Sequence, residues 1–140
     1  MIHRDTIDSR LSRLSTTMNI LRDLSKEEKS SFLKDKLKLG AGKYYLLEAI
    51  QICLDIGNHL IGIMGWEKPS DYASVFTILA ANNVFSNQFG ESLAQMARFR
   101  NRIVHLYGDF DNEMLFEILM NNLKDIDTFV QTIHEFVESH

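Results

Sequence analysis

The chain is 140 residues long, 45% hydrophobic and 24% charged, the proportions of a soluble globular protein the size of one domain. A chain of that length buries roughly 68–70% of the surface its unfolded form exposes, enough for a real core. Its net charge of −4 excludes broad electrostatic adhesion to nucleic acid, which needs clustered Lys and Arg, so any such site must be a local basic patch.

The one cysteine, Cys53, excludes an internal disulfide and fits a reducing cytoplasm. In its apolar run it reads as a small buried hydrophobe. Residues 1–10 mix charges of both signs without an apolar stretch, so no signal peptide is expected. The apolar run at 44–64 is broken by Glu48, Gln51, Asp55, Asn58 and His59, too polar a pattern to span a bilayer, and no membrane association is expected.

With one proline and long stretches of 3.6-residue period, the sequence predicts helices joined by short loops. Ile7, Leu11, Leu14, Met18 and Leu21 give a first amphipathic helix. Ser25-Lys-Glu-Glu28 fits a capping box, from which a short helix restarts and runs to about residue 37. Lys38-Leu-Gly-Ala-Gly42 is expected to interrupt the pattern before the second main helix, about 43–64. The apolar arc of that helix (Leu46, Ile50, Cys53, Gly57, Leu60 and Met64, flanked on both sides) is wide enough for several neighbours. A loop follows at 65–69, and Ser70 is expected to cap a third helix to about residue 81, ended by Asn82 and Asn83. Ser86 caps a fourth helix to about 104, residues 107–110 make a turn, and Asp111 caps a last helix reaching nearly to the C-terminus. The fold class is therefore all-α: an up-and-down bundle of about five helices in a single domain, residues 1–140.

Chemistry concentrates in Arg98-Phe-Arg-Asn-Arg-Ile-Val-His-Leu-Tyr107. Arg98, Arg100, Arg102 and His105 fall within eight residues that contain no acid, forming the candidate basic patch. At about 100° per residue, Arg100 projects into the apolar stripe of Phe89, Leu93, Met96, Ala97 and Val104. A charge aimed at a buried face is costly unless paired or used for a ligand, so pairing with a carboxylate or capping carbonyls inside the bundle and an anion-binding cleft are both open. On one ideal helix Arg100 and His105 would point about 140° apart and sit about 7.5 Å apart along the axis. They converge only if the helix ends near Val104 or if a second copy of the chain supplies one partner. His105 alone also fits a helix-end dipole partner. On the second main helix Asp55 and His59 are spaced i,i+4 and can hydrogen bond, either as a solvated face or with Asp55 lining a cleft and tuning a catalytic group. They lack a convincing third ligand, so no metal site is assigned.

Arg100-Asn101-Arg102-Ile103-Val104-His105 matches the Arg-x4-His signature of HEPN ribonucleases, and with Tyr107 the extended Arg-x4-His-x-Tyr resembles the HepT branch of toxin–antitoxin systems. The segment from Tyr44 to His59 resembles that branch's second helix, and Pro69-Ser-Asp-Tyr72 its following loop and cap, so the likeness covers roughly residues 1–138 in register. The resemblance implies a dimerising HEPN-like bundle and RNA cleavage without metal or cofactor. His105 would be general base or acid. Arg100 would grip the scissile phosphate, with Asn101 and Asp55 in support and Arg98 and Arg102 on the RNA path. It also implies a homodimer with facing motifs, an RNA rather than DNA substrate, and a nucleotidyltransferase antitoxin that can adenylylate Tyr107. For Tyr107 an aromatic anchor of the turn is the other reading. Two further functions stay open: a non-catalytic helical subunit partnering a small nucleotidyltransferase, and a purely structural bundle.

Overall fold

The computed structural model describes residues 2–105 and 111–140, with His105 described by its backbone alone. The described residues form seven helices and no strand: α1 (Asp5–Ser25), α2 (Lys29–Lys34), α3 (Lys36–Met64), α4 (Tyr72–Ala81), α5 (Asn87–His105), α6 (Asn112–Asn121) and α7 (Leu123–Ser139). The all-α class is as the periodicity predicts; the boundary before the second main helix shifts, and the expected last helix divides in two. The turn expected at 107–110, and every expectation resting on Tyr107, lie outside the described residues.

The first difference is at Lys38–Gly42, which does not interrupt anything. Asp35 caps α3 by accepting from the backbone N–H of Leu37 and Lys38, at 3.0 and 3.2 Å, so the helix starts before both glycines. Gly42 is needed for closeness rather than for a turn. A Cβ there would lie 3.2 Å from the Phe32 ring and 3.4 Å from Leu115. Ser25 is not the cap of a new helix; α1 runs through it, and Glu28 caps α2 by accepting from Ser30 N. The Ser30 hydroxyl on Glu28 holds that carboxyl below the usual range. Likewise Asp71, one residue beyond the expected Ser70, caps α4 in a reciprocal box with Ser74.

Ser86 does cap α5, at 3.1 Å to Phe89 N, and Asp111 caps α6, at 3.1 Å to Met114 N. The single last helix expected from Asp111 onward is two. They meet at Asn122, which ends α6 with its backbone N–H on Ile118 O at 2.8 Å and donates its side-chain Nδ2 to the Asp125 carboxylate at 3.3 Å. Asn83 takes a φ of 64°, a conformation asparagine tolerates, where α4 was expected to stop.

α3 is the axis of the bundle and touches each of the other six helices. By length and composition it could cross a membrane, but Leu46, Ile50, Leu54, Ile56 and Leu60 are fully enclosed by protein. Cys53 lies among them, where burial pushes its thiol up, as its sequence setting suggests. α4 packs closely against α3 at Gly57: a Cβ there would meet Val75 Cγ1 at 2.6 Å and Leu79 Cδ1 at 3.2 Å. Trp66, just after α3, packs edge-on to Phe136 of α7.

Gly57→Ala should therefore destabilise the protein by about 1–3 kcal/mol through overpacking, although alanine is the better helix former by about 1 kcal/mol. Gly62→Ala, with nothing within 4 Å of the added carbon, should instead be neutral or stabilising. Denaturant melts of the two variants beside the parent check the opposite signs.

Candidate active site

Arg100 is carried by α5, whose Leu93, Ala94, Met96, Ala97 and Phe99 are buried against the bundle. Its own side chain is half-buried and crosses to the polar strip of α3. There the guanidinium Nε donates to Gln51 Oε1 at 3.1 Å. Nη1 donates to Asn101 Oδ1 at 3.4 Å. The guanidinium carbon lies 4.6 Å from the centre of the Tyr72 ring at the start of α4, a cation–π arrangement. Of the two readings of this charge, an internal ion pair is not what forms: among the described residues Arg100 has no carboxylate partner. The two carboxylates of the same cleft are engaged elsewhere, Asp55 with Arg10 at 3.4 Å and Glu48 with Arg13 at 2.9 Å.

That cleft, about 430 Å³, is lined by Arg10, Arg13, Tyr44, Leu47, Glu48, Gln51, Ile52, Asp55 and Arg100. Asp55 thus does line a cleft with Arg100. Its partners are Arg10 and Gln51, whose Nε2 donates to it at 3.0 Å; neither is His59. A continuous hydrogen-bonded row results: Arg10, Asp55, Gln51, Arg100.

The arginines expected to form one basic patch are spread over different clefts. Successive steps of two residues turn a helix by about 200°, so Arg100 and its neighbours at 98 and 102 cannot face one way. Arg98 is exposed and paired with Glu91 at 3.0 Å, beside a small pocket with Asp71, Ser74 and Thr77. Arg102 lines a separate cleft between α5 and α6 of about 320 Å³ and donates to Met114 Sδ at 3.5 Å. Asn101 lies between, lining a pocket with Asn58, Pro69, Ser70, Asp71, Tyr72 and Val75. His105 is the last residue of α5, so positions 100 and 105 share one continuous helix.

Sequence reasoning missed Arg10 and Arg13, which reach the cleft only because α1 packs along α3. Their spacing, one turn apart beside the Leu11 and Leu14 seam, was the available signal. Tyr72 and Gln51 were equally unforeseen as partners of Arg100. Among the described residues no group of three His, Cys, Asp or Glu side chains could hold a metal ion.

Known proteins share this architecture and part of this sequence. The mRNA nuclease HepT of Shewanella oneidensis is 27% identical over 88 residues, which is 63% of this chain and 66% of that one, just under two thirds of its length. A solved structure of a Shewanella oneidensis HEPN toxin, tri-AMPylated and in complex with MNT antitoxin, superposes with a TM-score of 0.88 at 22% identity, covering 95% of this chain and 99% of that one. The cytosolic protein YutE of Bacillus subtilis, of unknown function, gives 0.84 at 19% identity, covering 99% and 92%. At such identities these two structural likenesses speak for the fold alone. The family model described as ribonuclease HepT-like matches residues 14–133, and the chain belongs to that family.

Proposed function

We propose that this HepT-like chain is the ribonuclease toxin of a cytoplasmic toxin–antitoxin pair: one helical domain, residues 1–140, that cleaves RNA without a metal ion at a cleft between two copies. The observation that carries the reading is the state of Arg100. It is half-buried, stacked on Tyr72 and, among the described residues, has no carboxylate to neutralise it. An unneutralised, partly desolvated guanidinium is a strong phosphate ligand.

In the proposed reaction a ribose 2′-hydroxyl attacks the neighbouring phosphorus while His105 of one copy takes its proton, and the 5′-oxygen leaves with a proton from His105 of the other. A histidine suits both roles because it titrates near neutrality. Arg100 binds the scissile phosphate and offsets the charge that builds on its oxygens. Asn101, beside the Arg100 Nη1, yields that atom to the phosphate and helps to orient the phosphate. Positions 100 and 105 lie on one helix, about 140° apart by ideal geometry, which supports a site shared between two copies. Arg98 and Arg102, on other faces, would touch flanking RNA rather than the cleaved bond.

For silencing, a nucleotidyltransferase antitoxin would attach an adenylyl group to Tyr107, two residues past His105. The added phosphate would bring negative charge next to the motif and compete with RNA for it. The AMPylated Shewanella toxin bound to its MNT antitoxin and membership of the HepT-like family support this reading.

Purified protein free of any partner should cut cellular RNA in excess chelator, and His105→Ala should cut at least ~10²-fold more slowly while still folding. Absence of cleavage by the wild type, with Tyr107 shown by mass to be unmodified, would sink the reading. Arg100→Lys should cost a further measurable ~10²-fold or more in kcat relative to wild type, because an ammonium cannot reproduce the planar two-point grip. Near-wild-type kinetics in that variant would make Arg100 a structural residue.

A further inference from the structure

We infer that Gln51 is a positioning residue for Arg100: its side-chain amide, itself oriented by Asp55, holds the guanidinium by Nε and presents the Nη1–Nη2 edge to the RNA phosphate. The inference rests on the reading of Arg100 as the phosphate ligand, and it adds a residue and a direction of approach to that reading.

The polarity of the row fixes the amide. Arginine can only donate and an ionised carboxylate can only accept. Arg10 donates to Asp55 Oδ2 and Gln51 Nε2 donates to Asp55 Oδ1, so the Gln51 oxygen must face Arg100, where it accepts from Nε at 3.1 Å. The flipped amide would set an NH2 group against a guanidinium and a carbonyl against a carboxylate. Of the two orientations, one satisfies both neighbours.

An arginine can grip a phosphate through its Nε side or end-on through its two Nη atoms. With Nε held by Gln51, the side approach is closed. The Tyr72 ring, with its centre 4.6 Å from the guanidinium carbon, occupies a second side of the group. What remains is the end-on edge, where the Asn101 bond at 3.4 Å is long enough to be displaced. Glutamine suits this task where glutamate would not. A carboxylate at position 51 would neutralise Arg100 and stand against Asp55, whereas the neutral amide orients the cation and leaves its charge for the substrate.

The test uses the full chain and two variants, Gln51→Met and Gln51→Glu. The Arg100 Nε–H signal in a proton–nitrogen NMR spectrum is assigned by its loss in Arg100→Lys. It should be protected from water exchange in the wild type, lose protection in Gln51→Met, and keep it in Gln51→Glu, which retains the acceptor. In RNA cleavage, Gln51→Met should lower kcat about 10- to 100-fold, the cost of misplacing a reacting group by an ångström or less, with an unchanged melting temperature. Gln51→Glu should lower cleavage as well, because it neutralises the cation it holds. An Arg100 signal that is unprotected in the wild type, or unchanged in Gln51→Met, overturns the positioning role whatever the cleavage shows. A signal that depends on Gln51 together with undiminished cleavage by Gln51→Met overturns its service to catalysis. A Gln51-dependent signal in a wild type that cuts no RNA upholds the positioning of Arg100 and overturns the ribonuclease reading instead.

Discussion

The structure depends on covering α3. A 29-residue helix with apolar side chains over most of its circumference is stable in water only if other elements enclose it, and all six remaining helices of the described residues touch it. Close approach is part of the same demand. Gly42 admits Phe32 and the α6 leucines, and Gly57 admits Val75 and Leu79. Both glycines sit on the buried side, where a methyl group would hold the neighbours off and forfeit dispersion contacts.

One strip of α3 cannot be covered by apolar side chains, because it carries Glu48, Gln51 and Asp55. Covering it takes donors, and these come from two directions: Arg10 and Arg13 from α1, and Arg100 from α5. The two α1 arginines find carboxylates. Arg100 finds a neutral amide and an aromatic face. The site and the core are thus two answers to one constraint, and the catalytic candidate is the cation for which the polar strip supplied no counter-charge among the described residues.

Much of this was legible in sequence because it is local. The helical periods, the caps at Ser86 and Asp111, the stop at Asn82–Asn83, and the motif with its family are all written in short stretches of chain. The errors share a cause too. Gly40 and Gly42 look like a break when read alone, but Asp35 starts the helix before them, and Gly42 answers to Phe32 and Leu115 in other helices. Likewise the compact run from Arg98 to His105 looks like one basic patch in one dimension, while helical geometry turns Arg100 away from Arg98 and Arg102, and α4 and α6 pack beside those two in separate clefts. The row that joins Arg10, through Asp55 and Gln51, to Arg100, with Tyr72 beside it, spans three other helices and could be known only from their packing.

The acidic balance of the chain, unusual for the proposed RNA substrate, is accompanied by pairing of most of the cations near the site. Arg10 and Arg13 are matched by Asp55 and Glu48, and Arg98 by Glu91, so the surface offers no broad positive field. Exposed pairs of this kind contribute at most about 1 kcal/mol each to stability. Their larger effect is on recognition, because paired cations release fewer counterions on meeting a polyanion. On the proposed reading, recognition rests on one oriented guanidinium rather than on many diffuse charges. A phosphate is favoured only where it meets that edge in the right direction, and selectivity for one bond in a strand requires that kind of discrimination.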